Sequence, residues 1–239
     1  MRIDVLTLFP EMFTGVLGSS ILKRAAERRQ ASYHLHQLRD YTTDPHRKVD
    51  DKPFGGGPGM VLMCQPVLDA VAALEAHAPE PPLRLLMCPQ GEKFSQRMAE
   101  ELAHAPRLLL LAGHYEGFDE RIKNLLGPRE VSLGDYVLSG GELPAMVVLD
   151  AVVRLLPGVL GDDLSTHGET FTTTDATIQG GLEYPQYTRP REYAGQSVPE
   201  ILLSGNHAAI EAWRREESRK RTAQKRPDLL AGGSDKREV

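Results

Sequence analysis

The chain has 239 residues, 41% hydrophobic and 26% charged, the balance of an average soluble protein. That length predicts one or two domains and lets about 70% of the unfolded surface be buried, which excludes collagen-like, mucin-like and wholly disordered classes. The net charge of −5 hides an asymmetry: residues 1–188 carry 17 Lys+Arg against 25 Asp+Glu, and residues 189–239 carry 11 against 8. An acidic body with a basic end points to an anionic partner at that end and argues against an indiscriminate nucleic-acid coat protein. Cys64 and Cys88 stand in no metal-ligand spacing, so a reducing compartment is expected. The charged start, Met1-Arg2-Ile3-Asp4, and the short apolar runs predict a cytoplasmic protein with no membrane span.

Taken in chain order, Ile3 to Phe9 reads as a buried strand stopped by Pro10. Ser19 or Ser20 is the expected cap of a helix through about Arg29, with Lys23, Arg24, Arg28 and Arg29 as a basic cluster. Tyr33 to Leu38 alternates as a second strand, and Asp40 to Gly59 is a long loop. Pro66 fits the first turn of a helix carrying Val67, Leu68, Val71 and Leu74, broken by Pro79, Pro81 and Pro82. Leu83 to Met87 is a strand expected to end at Cys88-Pro89-Gln90-Gly91. Ser95 caps a helix to His104, Arg107 to Ala112 is a strand, Asp119 to Leu126 a short helix, and Glu130 to Leu133 a strand. A helix from Glu142 to Leu156 is apolar nearly all round, so burial on most sides is expected. Alternating strands and helices predict an α/β fold, a parallel sheet with helices on both faces. Residues 162–181 are polar and read as a linker. Asn206 caps a charged helix from His207 to about Arg221, and Ala231 to Val239 reads as a frayed tail.

Three strands end in glycine-bearing loops: Pro89-Gln90-Gly91, Gly113 to Gly117, and Gly134 to Gly141. Each alone is a tight turn; three in succession predict a cleft, because ligands of parallel sheets bind at strand carboxyl ends. No G-x-G-x-x-G follows a strand and no Walker lysine motif is present, so a bound diphosphate is disfavoured. Gly55 to Gly59 reads as a tight backbone path or a lid. Glu116 in a glycine loop is either a working carboxylate or a salt-bridge partner of Arg121. Arg154 on an apolar helix is expected to be paired or to face a site. Asp175, Glu169, Asp162 and Asp163 read by spacing as solvated linker carboxylates. His114, Tyr115 and Tyr136 suit either base stacking or a core role. Arg214, Arg215, Arg219, Lys220, Arg221, Lys225 and Arg226 form either a solvated face or an RNA-phosphate surface.

Longer motifs sharpen this. They are Gly113-His114-Tyr115-Glu116-Gly117-Phe118-Asp119-Glu120-Arg121, the run from Ser132-Leu133-Gly134-Asp135-Tyr136 to Gly140-Gly141-Glu142-Leu143-Pro144-Ala145, Leu182-Glu183-Tyr184-Pro185-Gln186-Tyr187, and Leu203-Ser204-Gly205-Asn206-His207. With Asp50-Asp51 and Phe54-Gly55-Gly56-Gly57-Pro58-Gly59-Met60, they closely resemble the bacterial tRNA (guanine-N1)-methyltransferases of the TrmD type, SPOUT family, which modify guanosine 37 beside the anticodon. The likeness runs from the first strand to about Leu230.

The resemblance implies a SPOUT body with a deep trefoil knot over residues 1–161, an interdomain linker over 162–181 and a small, mostly helical tRNA-binding domain over 182–239 with a frayed tail. It implies S-adenosylmethionine held by Leu86, Met87, Cys88, Pro89, Gln90, Gly91, Gly113, Tyr115, Gly117, Ser132, Leu133, Gly134, Asp135, Tyr136, Val137, Leu138, Gly140, Gly141 and Pro144. It implies a homodimer with the active site at the subunit interface, a tRNA bearing guanosine at 36 and 37, and Mg2+ dependence, although no separate metal site is visible. The catalytic set it implies is a linker aspartate as base, Arg154 as assisting cation and Glu116 on the target guanine. Counting back from Gly180-Gly181-Leu182-Glu183 aligns Asp175 with the base, and counting forward from Gly158-Val159-Leu160-Gly161 aligns Glu169; the spacing to the C-terminal domain favours Asp175. The competing readings are a catalytically inactive SPOUT-fold RNA-binding protein, which the retained Arg154 and cofactor loops oppose, and a nucleotide-dependent α/β enzyme, which the missing phosphate motifs oppose.

Overall fold

The computed structural model describes residues 1–160, 169–172 and 180–231. The chain divides into two compact units, Met1–Leu160 and Gly161–Val239.

In the first unit, β1 (Arg2–Thr7) runs into a 3-10 turn at Pro10–Phe13, then α1 (Thr14–Leu17) and α2 (Ser20–Glu27). There follow β2 (Ser32–Gln37), β3 (Asp50–Asp51), β4 (Val61–Leu62), α3 (Cys64–Ala76), β5 (Leu83–Lys93), α4 (Gln96–Ala103) and β6 (Arg107–Leu111). The unit continues with α5 (Glu120–Leu126), β7 (Arg129–Ser132) and α6 (Glu142–Val153). Five strands form one sheet in the order β2-β1-β6-β5-β7, every pair parallel. The strand period of two sorts the core between the two faces. Ile3, Val5, Leu85, Leu108 and Leu110 face one side, against Leu22 of α2, Met98 and Leu102 of α4, and Val148, Leu149 and Val152 of α6. Leu6, Leu86, Leu109 and Leu111 face the other side, against Val67, Val71 and Leu74 of α3 and Ile122 of α5. Both faces are therefore covered, as the near-continuous apolar strands require.

Ser95 and Asn206 cap as expected, accepting from the amides of Met98 (3.3 Å) and Ala209 (3.1 Å). Ser19 holds the N-cap position of α2 without a side-chain cap bond. Two expectations change. β5 does not end at Cys88: it runs on to Lys93, and Met87 and Glu92 both oppose Val131 of β7. The intervening residues bulge from the ladder, and Gly91 passes so close to the Glu130–Val131 backbone that a Cβ would overlap it. The long loop holds β3, which pairs antiparallel with β4 just beyond the loop, next to the buried Val49. α6 is buried on most sides, as expected, and leaves one open stripe that carries Leu143 and Val147, 49% and 47% exposed.

In the second unit, the amide of Phe171 donates to Gly181 O (2.9 Å) and that of Gly180 to Thr172 O (2.8 Å). A hairpin of β8 (Glu192–Tyr193) and β9 (Gln196–Ser197) turns through Ala194 and Gly195, both at positive φ. A 3-10 turn at Glu200–Leu203 leads to α7 (His207–Lys225), one turn longer than expected, and α8 (Asp228–Ala231). Two hydroxyls of α7 clip the chain: Ser218 Oγ donates to Leu182 O (2.6 Å), and Thr222 Oγ1 accepts from Leu182 N (2.9 Å). Among the described residues no helix is long and apolar enough to cross a membrane. Asp162, Asp163, Asp175 and the tail from 232 lie outside the described residues.

One buried charge cluster joins the strands towards their amino ends. Asp4, fully buried, meets Arg107 (3.0 Å), Arg2 (2.9 Å) and His36 (2.9 Å). Burial alone would raise the Asp4 carboxyl, but hydrogen bonds from His36, Arg2 and Arg107 outweigh it and hold the group well below the usual carboxylate range. Its stabilisation is therefore complete above the unfolded value of 3.8 and is lost as pH falls below it towards the folded value. Asp4→Asn should cost about 3 kcal/mol at neutral pH, because it strands Arg107 in the core. It should also flatten the loss of stability below about pH 4. Urea unfolding at pH 7 and pH 3 measures both effects.

Candidate active site

The parallel sheet sets where a site can form. The strands β6, β5 and β7 are neighbours, so the chain segments at their carboxyl ends lie side by side. Together they enclose a cavity of about 430 Å³, within the range of small-molecule sites. β5 and its bulge contribute Leu86 to Gln90, the loop after β6 contributes Gly113 to Phe118, and the loop after β7 contributes Leu133, Gly134 and Tyr136 to Gly141.

Backbone contacts hold these loops together. Gly141 N donates to Gly113 O at 2.7 Å, and His114 forms an antiparallel bridge with Gly140. A Cβ on Gly141 would lie 2.8 Å from Gly113 N and 2.9 Å from Ala112 Cα, so only glycine permits the approach. Ser132 Oγ and Gly134 bond to each other, and Tyr136 N donates to Gly134 O at 2.9 Å. Tyr115 occupies the left-handed region at φ 61°, which turns the loop back on itself. The Gly55–Gly59 stretch closes on this loop from another side. Met60 O accepts from Glu116 N at 2.9 Å, and a Cβ on Gly59 would overlap the Glu116 carboxylate.

The electrostatics follow from the lining. Glu116 is exposed at the cavity and has no ion pair among the described residues; Arg121 pairs with Asp119 instead, at 2.7 Å. The salt-bridge alternative for Glu116 therefore does not hold. Lys123 lines the cavity, but its ammonium is taken by Glu130 (3.0 Å) and Glu120 (3.4 Å). Burial pushes the Cys88 thiol up, which keeps it protonated and a poor nucleophile. The lining is thus glycine-rich, apolar at Leu86, Leu133, Leu138 and Pro144, and acidic at Glu116 and Glu120. It suits a flat base and a cationic group better than a phosphate.

A family model for tRNA (guanine-1)-methyltransferase TrmD matches residues 1–232. The chain belongs to this family. It is similar to the tRNA (guanine-N(1)-)-methyltransferase of Halalkalibacterium halodurans, 57% identical over 232 residues, 97% of this chain and 92% of the relative. The enzyme of that name from Shouchella clausii is 56% identical over the same shares, and that from Bacillus cereus is 54% identical over 100% of this chain and 94% of its own.

Of the cofactor residues that the TrmD resemblance implies, all but Gly91 and Asp135 line the cavity. Gly91 sits in the bulge behind it, and Asp135 is exposed and pairs with Lys93 at 3.2 Å. Glu116 lines the cavity as well. Arg154 does not. It terminates α6, whose 12 residues carry it about 18 Å from the helix start at the cavity. Glu169 belongs to the second unit, where its carbonyl accepts from Thr172 N at 3.1 Å. The sequence reading missed Phe118, Glu120, Lys123 and Val131 as lining residues. Glu120 and Lys123 lie one turn apart on α5 and carry no local signal, since charges at that spacing decorate most exposed helices.

Gly141→Ala should weaken S-adenosylhomocysteine binding by about tenfold or more, because the new methyl meets backbone that no rotamer change can move. Calorimetric titration measures this, and the control Gly195→Ala in the second unit should bind as the parent does.

Proposed function

We propose that this chain transfers the methyl group of S-adenosylmethionine to N1 of guanosine 37 in tRNA, using the three-loop cavity as its cofactor site. The observation that carries the reading is the convergence of the TrmD-like motifs, distant in sequence, on neighbouring strand ends of one parallel sheet. The residues present fit the cofactor: glycine backbone and apolar walls suit an adenine ring, and Glu116, without an ion pair among the described residues, suits a positively charged ligand. Among the described residues no group of three or more His, Cys, Asp or Glu could hold a metal ion. The family's trefoil knot is proposed for the segment from β7 to α6. Support comes from the path of the chain, which leaves the edge strand β7 and starts α6 against the end of β6.

When bound, S-adenosylmethionine supplies a methyl group made electrophilic by its sulfonium. The remaining difficulty is guanine N1, which holds a proton at neutral pH. A carboxylate from the linker, Asp175, is assigned to remove it, and Arg154 to stabilise the negative charge that moves onto O6. Glu116, at the cavity and with no ion pair among the described residues, is assigned to hold the guanine edge. Arg154 stands too far along α6 to serve the cavity of its own chain, which supports a site completed by a second copy. The exposed apolar stripe of Leu143 and Val147, on the same helix face as Arg154, and Met12 at 42% exposure support a homodimer. In the second unit, α7 presents Arg215, Arg221 and Lys225 with no ion pair among the described residues, which supports contact with tRNA phosphates.

Tritiated methyl transfer to unmodified tRNA tests the activity. Guanosine at 37 should give incorporation and a substituted 37 none; no incorporation into the parent tRNA would overturn the reading. Asp175→Ala should lower kcat about 100-fold or more, and Glu169→Ala far less. The reverse order would assign the base to Glu169.

A further inference from the structure

We infer that Glu142 is a positioning residue for the cofactor site, clamping the Gly113–Gly117 loop to the end of β1 and the start of α6 through Thr7 and His114. The inference rests on reading the cavity as the cofactor site. Glu142 opens α6 and is 1% exposed. A buried carboxylate is retained only where partners offset its desolvation. Here Thr7 Oγ1 donates to Glu142 Oε1 at 2.8 Å, across 135 residues of sequence. The same hydroxyl accepts from Phe9 N at 3.0 Å, so its proton is committed to the carboxylate.

The second carboxylate oxygen serves the loop. Glu142 Oε2 stands 3.5 Å from His114 Nδ1, a buried nitrogen with no hydrogen bond among the described residues. A Cβ on Gly140 would overlap both atoms, so the glycine leaves room for them to meet. The His114 ring is held at its edges by Phe9 (5.0 Å) and Tyr115 (5.2 Å). His114 lines the cavity; Thr7 and Glu142 do not, and they act through it. Beyond His114 come Tyr115, in its left-handed conformation, and Glu116. A loop bent in that way keeps its shape only where its surroundings hold it. The Asp4 cluster lies towards the opposite end of the strands, so loss of Glu142 should disturb ligand binding through a route that loss of Asp4 does not use.

The test combines S-adenosylhomocysteine titration with initial rates. Failure of the parent chain to bind S-adenosylhomocysteine would sink the cofactor-site reading itself. With parent binding established, Glu142→Ala should raise that Kd and the KM for S-adenosylmethionine about tenfold, with the KM for tRNA changed less than about twofold. His114→Ala should show a similar loss, and the double variant no more than either single one, because one clamp is broken in each case. Unchanged Kd with a lowered melting temperature, or additive losses, would overturn the inference. Should Glu142→Ala fail to fold, the pair His114→Ala and His114→Arg decides: arginine keeps a donor towards Glu142 and should restore binding, and equal losses in both variants would overturn the clamp.

Discussion

Two glycines that nearly touch govern the first unit. Gly113 lies two residues beyond β6, Gly141 precedes α6, and the 2.7 Å bond between them brings the start of the helix onto the carboxyl edge of the sheet. No side chain fits in that gap. From this approach follow the meeting of the second and third loops, the enclosure of the cavity against the β5 bulge, and the burial of Glu142 beside Thr7. Backbone rather than side chains therefore draws most of the pocket, which accords with its poverty in charged groups.

The helix that begins at this contact also defines what the cavity lacks. Its first turn borders the cavity at Pro144, its exposed face leaves Leu143 and Val147 in solvent, and its end carries Arg154 about 18 Å away. An apolar stripe and a remote cation on one helix make sense together if a second chain covers the stripe and receives the cation. The proposed enzyme would then place cofactor and assisting arginine on different subunits, with α6 as the strut that spaces them.

Much of this was legible in the residues. Apolar strands of period two, the caps Ser95 and Asn206, and glycines at three strand ends are local signals, and each marks a local structure. The β5 bulge was not legible, because Pro89 and Gly91 read as a stop unless the β7 backbone they pass is known. The clamp was not legible either: Thr7 and Glu142 are 135 residues apart, and only the sheet order unites them. The apolar circumference of α6 concealed its open face, since periodicity cannot separate burial in a core from burial against another chain. The choice between Asp175 and Glu169 turned on linker length, which carries no periodic signal.

The cavity of one chain is thus proposed to work with Arg154 of another, and co-expressing Gly141→Ala chains with Arg154→Ala chains tests this directly. With S-adenosylmethionine held well below the Kd of the Gly141→Ala chains, each variant alone should retain about a tenth of parental methyl transfer or less, whereas random pairing should restore about one quarter, from mixed dimers with one intact site. Mixed dimers that stay inactive while each chain still folds would contradict the shared site and return Arg154 to its own chain's cavity.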